Sequence, residues 1–193
     1  MEQLLHQGKR DQKKHLAVCF IDLDNFKYVN DAYDHSVGDE ILKEVASRLL
    51  DQYAERGILA RFGGDEFILV LESFSEASEI AIVAHEIVEI LRRPFNVFEQ
   101  FHQVSASVGI SLYPEDASNA NDLIKFADAA MHRAKESGKN HYQFYTNTLT
   151  EQMMQKIKII NHLREAIETE QFELYYQPQI NLQTHTVIGF EAL

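Results

Sequence analysis

From Leu16 to Asp22 the chain reads LAVCFID, six apolar side chains in succession closed by an acid. A strand with one wet face alternates polar and apolar residues. An unbroken run has both faces covered, so this segment predicts a central strand with other elements packed on it. The chain is thereby steered toward a sheet flanked by helices. The residue that closes the run, Asp22, is delivered to the end of that strand.

The remaining segments supply the flanking layers. Residues from about Glu2 to Lys14 are polar and compatible with a helix. NFKYVNDAY reads as a short helix, and VGDEILKEVASRLLDQY as a longer one with Val37, Ile41, Val45, Leu49 and Tyr53 on one face. ILARF and EFILVL flank Gly63-Gly64, a pair that reaches positive φ without a Cβ clash, and so predict a hairpin. A third helix is expected from about Ser75, its N-cap, to Arg92, with Ile80, Val83, Ile87 and Leu91 in helical spacing and Pro94 as the stop. FHQVSASVGISLY reads as a strand, NDLIKFADAAMHRAKESG as a helix ending at Gly138, and HYQFY as a last short strand. Strand, helices, hairpin, helix, strand, helix, strand predicts an α+β fold, a mainly antiparallel central sheet flanked by helices.

Charge and cysteine usage exclude several functions. Thirty acidic against eighteen basic residues give a net charge of -12, which opposes wrapping of nucleic acid or contact with an anionic membrane. The lone Cys19 lies inside the apolar run, as a small core residue would, and excludes an internal disulfide framework. Nine histidines show no zinc spacing. No stretch reads as a membrane span or signal peptide, so the expectation is a cytoplasmic location without membrane contact by this fragment.

The hairpin explains the two glycines but not Asp65 and Glu66 beside them. If LAVCFID lies next to the hairpin, Asp22 and Asp65 converge at one sheet edge. Paired carboxylates repel unless a cation joins them. Their hard oxygens, with the Leu23 carbonyl, suit Mg²⁺ or Mn²⁺, which leaves positions open for substrate phosphates. That is the chemistry of phosphoryl transfer. The alternative is structural, with Asp22 and Asp24 capping the short helix after them.

Four motifs, FIDLDNFKYVNDAYDHSVGDEIL, RFGGDEF, SVGIS and ADAAMHRAKESGKN, closely resemble the GGDEF domain of diguanylate cyclases in order and separation. The resemblance covers roughly 125 residues and is specific. It implies a fold related to nucleotidyl cyclases and palm-type polymerases. It also implies condensation of two GTP molecules to cyclic di-GMP with release of pyrophosphate, by a homodimer. By the same resemblance Asp22, the Leu23 carbonyl and Asp65 hold the metal, and Glu66 joins Asp65 as a second catalytic acid. Asn30, His35 and Asp39 fall where the family binds guanine and its ribose side. Asn25, Phe26 and Lys27 face the phosphates, Gly63 and Gly64 lie on the substrate side of the turn, and Lys135 and Lys139 match cations for the β and γ phosphates.

Departures from the family pattern are also legible. Asp34 stands at a usual glycine, and Lys139 at a usual arginine. Ala54 and Gly57 occupy the two positions of the R-x-x-D motif that binds product, so no inhibitory product site is expected. The family's upstream D-x-L-T-G-L-x-N-R segment does not precede Met1. Residues 1–147 are therefore read as a GGDEF domain with a truncated upstream segment. Residues 148–170 are read as a linking helix, with Met153, Ile157, Ile160 and Ile167 on one face. Residues 171–193 resemble the first strands of an EAL cyclic di-GMP phosphodiesterase domain, in which Glu191 is the truncated metal ligand and which is too short here to hydrolyse anything. The alternative to a cyclase is a catalytically silent GTP-binding module that regulates a fused EAL domain. A scaffold that binds partners through its sheet edges is a third, weaker reading.

Overall fold

A computed structural model describes residues 15–72, 74–146, 158–160, 162–169 and 171–192. The helix expected over Glu2 to Lys14 and the first part of the linking helix, with Met153 and Ile157, lie outside these residues. The chain divides into two compact units between Gln155 and Lys156.

The first unit is built on β1 (Leu16–Asp24), in which all nine residues are buried. It is followed by α1 (Phe26–Ala32) and α2 (His35–Tyr53), then the hairpin β2 (Gly57–Gly63) and β3 (Glu66–Glu72). Next come α3 (Ala77–Arg92), a small hairpin of β4 (Phe95–Val97) and β5 (Gln100–His102), then β6 (Ser105–Tyr113), α4 (Ala120–Glu136) and β7 (Tyr142–Phe144). Five strands form one sheet in the order β2-β3-β1-β6-β7. Every pairing is antiparallel except β6 with β7, which is parallel. The expected central strand is thus central, hydrogen-bonded on both sides.

Alternation along β1 divides its side chains between two layers. Leu16, Val18 and Phe20 join Ile68 and Val70 against Leu123, Ala127 and Met131 of α4. On the opposite face the buried Cys19 lies near Tyr53 of α2, whose hydroxyl reaches the Val83 carbonyl and Glu86 of α3 at 3.5 and 3.3 Å. Burial pushes the Cys19 thiol up to about 12, so it is an inert core group.

Helix α4 comes so close to the sheet that side chains are excluded at one point. A Cβ on Gly109 of β6 would fall 2.0 Å from the Ala127 carbonyl oxygen and 2.1 Å from the Met131 amide nitrogen. Both are backbone atoms, so the helix itself would have to move. Gly109→Ala is therefore expected to destabilise the domain by about 3 kcal/mol, the upper end for overpacking. Denaturant unfolding with an unchanged midpoint would contradict this.

Three local readings need correction. Helix α3 begins one residue beyond Glu76, not at Ser75: Glu79 takes the Ser75 and Glu76 amides at 3.0 and 3.3 Å, a carboxylate replacing a hydroxyl cap. The single strand expected over FHQVSASVGISLY is two, broken at Gln103 and Val104: Gln100–His102 pairs with Phe95–Val97 across a turn at Phe98 and Glu99, both at positive φ, while Ser105–Tyr113 joins the main sheet. Third, α2 starts at His35 rather than Val37, behind an Asp34 whose carboxylate accepts from the His35 amide at 2.6 Å. Gly138 does come just after the end of α4, with φ +128°.

In the second unit residues 158–160 and 162–168 are helical, and β8 (Tyr176–Ile180) pairs antiparallel with β9 (Val187–Ala192). Glu191 lies on β9 opposite Gln177. Among the described residues no helix is long and apolar enough to cross a membrane.

Candidate functional site

The register of the sheet brings the acids together. Asp22 stands opposite Glu66 of β3, and the Leu23 amide donates to the Asp65 carbonyl at 3.4 Å. The turn between them needs Gly64 for its conformation, φ +51°, rather than for space, since a Cβ there would meet nothing. Arg61 fastens this turn from within, donating from Nε and Nη2 to the Gly64 carbonyl at 3.0 and 2.6 Å.

Asp22 is buried, and its Oδ1 lies 2.6 Å from Lys135 Nζ. The Lys135 ammonium is thus the one cation paired with this acid among the described residues. Burial raises the Asp22 pKa above the ordinary carboxylate value. The neighbouring Asp65 and Glu66 push it the same way, and only Lys135 opposes them. A buried carboxylate crowded by two further acids, with a single lysine against them, fits an oxygen-liking cation. Among the described residues no three His, Cys, Asp or Glu side chains form a ready-made metal cluster. Asp22 and Asp65 offer two carboxylates, hard oxygens of the kind that suit Mg²⁺, an ion that keeps several positions for water and phosphate.

Neither aspartate caps α1. Its N-cap is Asn25, left-handed at φ 58° and without a side-chain cap bond. Asp24, two residues on along the same face of β1, is taken up by other partners, accepting from Ser105 Oγ at 2.7 Å, Ser107 Oγ at 2.6 Å and the Asn140 amide at 3.0 Å. The last of these bonds pins a strained loop to β1, in which Gly138, Lys139 and Asn140 have φ of 128°, 62° and 52°. Positive φ at the two non-glycine residues costs on the order of 1–3 kcal/mol each, so the loop needs such anchors. The result is a directed Lys139, whose Nζ donates to Asn25 Oδ1 at 2.7 Å. Sequence reasoning missed this role of Asp24, and its only signal was a second acid in a buried strand.

A cavity of about 300 Å³ opens beside the acids, lined by Phe26, Lys27, Asn30, His35, Asp39, Leu42, Arg61, Gly64 and Asp65. It thus gathers Asn30, His35 and Asp39 and shares a wall with the hairpin. Asp39 is the fifth residue of α2, beyond the first turn where a dipole role would place it. Asp34 adopts φ +140°, a region natural to glycine, which accounts for the family's usual residue there. Asn25 does not line this cavity but a larger groove of about 550 Å³ with Tyr28, Tyr33 and Arg92. The expected nucleotide residues therefore fall on two sides of α1. Leu42 and Arg61 are additions: Leu42 stands three residues beyond Asp39 on one helix, and Arg61 lies just ahead of the glycine pair.

Ala54 is the C-cap of α2, and Gly57 opens β2. A Cβ on Gly57 would lie 2.2 Å from the Val70 carbonyl oxygen, so any side chain there would force β2 away from β3.

Sheet order, acid-bearing hairpin and adjoining cavity define a class, an α+β domain that presents carboxylates at the end of a central strand beside a polar pocket. Residues 1–141 match the diguanylate cyclase GGDEF domain, and the chain belongs to that family. It is 39% identical over 193 residues to the bifunctional diguanylate cyclase/cyclic di-GMP phosphodiesterase MucR of Pseudomonas aeruginosa, matching all of this chain and 28% of that one. It is 38% identical over 194 residues to the cyclic di-GMP phosphodiesterase PdeR of Escherichia coli, matching all of this chain and 29% of that one. The chain thus spans less than a third of these relatives. Among solved structures, the GGDEF domain of YfiN (TpbB) from Pseudomonas aeruginosa superposes with a TM-score of 0.71 at 32% identity, over 74% of this chain and 88% of that one. The active GGEEF domain of a diguanylate cyclase from Vibrio cholerae gives 0.67 at 28% identity, over 75% and 90%.

Proposed function

We propose that this domain condenses two GTP molecules to cyclic di-GMP and pyrophosphate. The observation that carries the reading is the shared wall: Gly64 and Asp65 close the cavity that holds Asn30, His35 and Asp39, and the same hairpin sets Asp65 beside Asp22. A base seated in that cavity would put its phosphates at the acids. Asp39 accepts from the guanine N1–H and exocyclic amine, with Asn30 and His35 on the base and ribose side. Lys27, Lys135 and Lys139, with the backbone of Asn25 and Phe26, take the phosphates. Asp22, the Leu23 carbonyl and Asp65 hold Mg²⁺ or Mn²⁺, with Glu66 as a further acid. When bound, the ion neutralises the triphosphate and acidifies the attacking 3′-hydroxyl. Two 3′–5′ bonds require two such sites face to face, hence a homodimer.

In this reading residues 1–147 are the GGDEF domain, 148–170 a linking helix and 171–193 the opening hairpin of an EAL domain that would contribute Glu191. A second reading, a silent GTP-binding module that governs a fused phosphodiesterase, draws support from the likeness to PdeR over the whole chain. The full-length protein with GTP and Mg²⁺ separates the two. Cyclic di-GMP formed at a rate per domain that rises with protein concentration supports the cyclase. GTP binding without pyrophosphate release supports the module.

Product inhibition is expected to be absent. Ala54 and Gly57 offer neither a guanidinium fork nor a carboxylate to intercalated cyclic di-GMP, each such charge-assisted bond being worth about 1.5–3 kcal/mol. Titrating cyclic di-GMP should leave the initial rate unchanged, and a falling rate with tight binding at these residues would refute it.

A further inference from the structure

Gly38 lies in α2, one residue before Asp39, and is buried. Its backbone is ordinary helix, which any residue adopts, and glycine is among the poorest helix formers. Conformation therefore does not explain it. Space does: a Cβ at this position would fall 2.0 Å from Asn30 Oδ1 and 3.1 Å from Asn30 Cγ and Phe26 Cζ. The closest atom is the tip of a side chain on α1, and that side chain lines the candidate base pocket.

We propose that Gly38 is a positioning residue for base recognition: it leaves the space on α2 into which the Asn30 carboxamide is seated, and so fixes how Asn30 faces the base. This rests on the reading of the cavity as the guanine pocket. The physical distinction from a packing role is that the clash is with a flexible tip rather than with backbone. An added methyl displaces Asn30 and leaves the two helices where they are, in contrast to Gly109, where it would lift a helix. Asn30 cannot keep its place beside a 2.0 Å neighbour.

The test is a double-mutant cycle on the whole chain, with GTP affinity measured by calorimetry and melting followed separately. Gly38→Ala is expected to weaken GTP binding about tenfold, the loss of one well-aligned hydrogen bond, with melting unchanged. Asn30→Ala should cost a similar factor. In the Asn30→Ala background Gly38→Ala should cost nothing more, because the group it displaces is gone. Unchanged GTP affinity in Gly38→Ala, or losses that simply add, would overturn the proposal. Full affinity in Asn30→Ala would instead remove the guanine-pocket reading and this inference with it.

Discussion

Asp65→Asn is expected to lose about 10³-fold in cyclic di-GMP formation, a loss of the size seen when one preorganised charge-stabilising group is removed. The fold should not change. Asparagine matches aspartate in volume, and the structural bond at this residue runs through its backbone carbonyl to the Leu23 amide, which the substitution keeps. Only charge is lost, at the point where the hairpin faces Asp22. Pyrophosphate release and cyclic di-GMP are the readouts, and turnover at the wild-type rate would remove Asp65 from the metal site. Asp22→Asn provides a control on the electrostatics. Burial raises the Asp22 pKa, so the folded state favours the protonated acid and carries a cost when the pH lies above the folded value. That cost vanishes as the pH falls below the ordinary carboxylate value of 3.8. Asp22→Asn should therefore melt no lower than wild type at neutral pH, while being as inactive as Asp65→Asn.

Periodicity and strong punctuation made much of the fold legible in the sequence. LAVCFID announced a strand covered on both faces, and the structure buries all nine residues of β1. Val37, Ile41, Val45, Leu49 and Tyr53 announced one face of α2, and each is buried. Gly63-Gly64 announced the hairpin. The readings that failed concern atoms contributed by distant segments. Asp24 could pass for a helix cap because its partners, Ser105, Ser107 and Asn140, lie more than eighty residues away. FHQVSASVGISLY could pass for one strand because the break between its two strands falls at Gln103 and Val104, with no glycine or proline to mark it. Gly38 and Gly109 carried no sequence signal that distinguished them. Only the structure shows one set against a side-chain tip and the other against a helix backbone.

The pocket's chemistry leads to a large expected preference for GTP over ATP. Asp39 is an acceptor without a donor, and guanine offers it two donors, N1–H and the exocyclic amine. Adenine presents an N1 lone pair at the same place and has no amine at C2, so a carboxylate and a ring nitrogen would face each other unpaired. A site built around such bonds rejects an analogue lacking them by about 10⁴–10⁵-fold, chiefly through the polar groups it strands. Asp39 is exposed at the rim of its cavity, where water can partly satisfy a stranded carboxylate. The lower end of that range, about 10⁴-fold, is therefore the expected ratio of rates per concentration for the two nucleotides. Asp39→Asn should narrow it from the GTP side. An amide accepts one of the two guanine bonds and loses the charge that strengthens both, which lowers GTP affinity by roughly one to two orders of magnitude and leaves ATP nearly unaffected. Calorimetric titration of both nucleotides into wild type and Asp39→Asn decides it: equal affinities in the wild type would place the base elsewhere, and the larger groove beside Tyr28 and Tyr33 would then be the site to test.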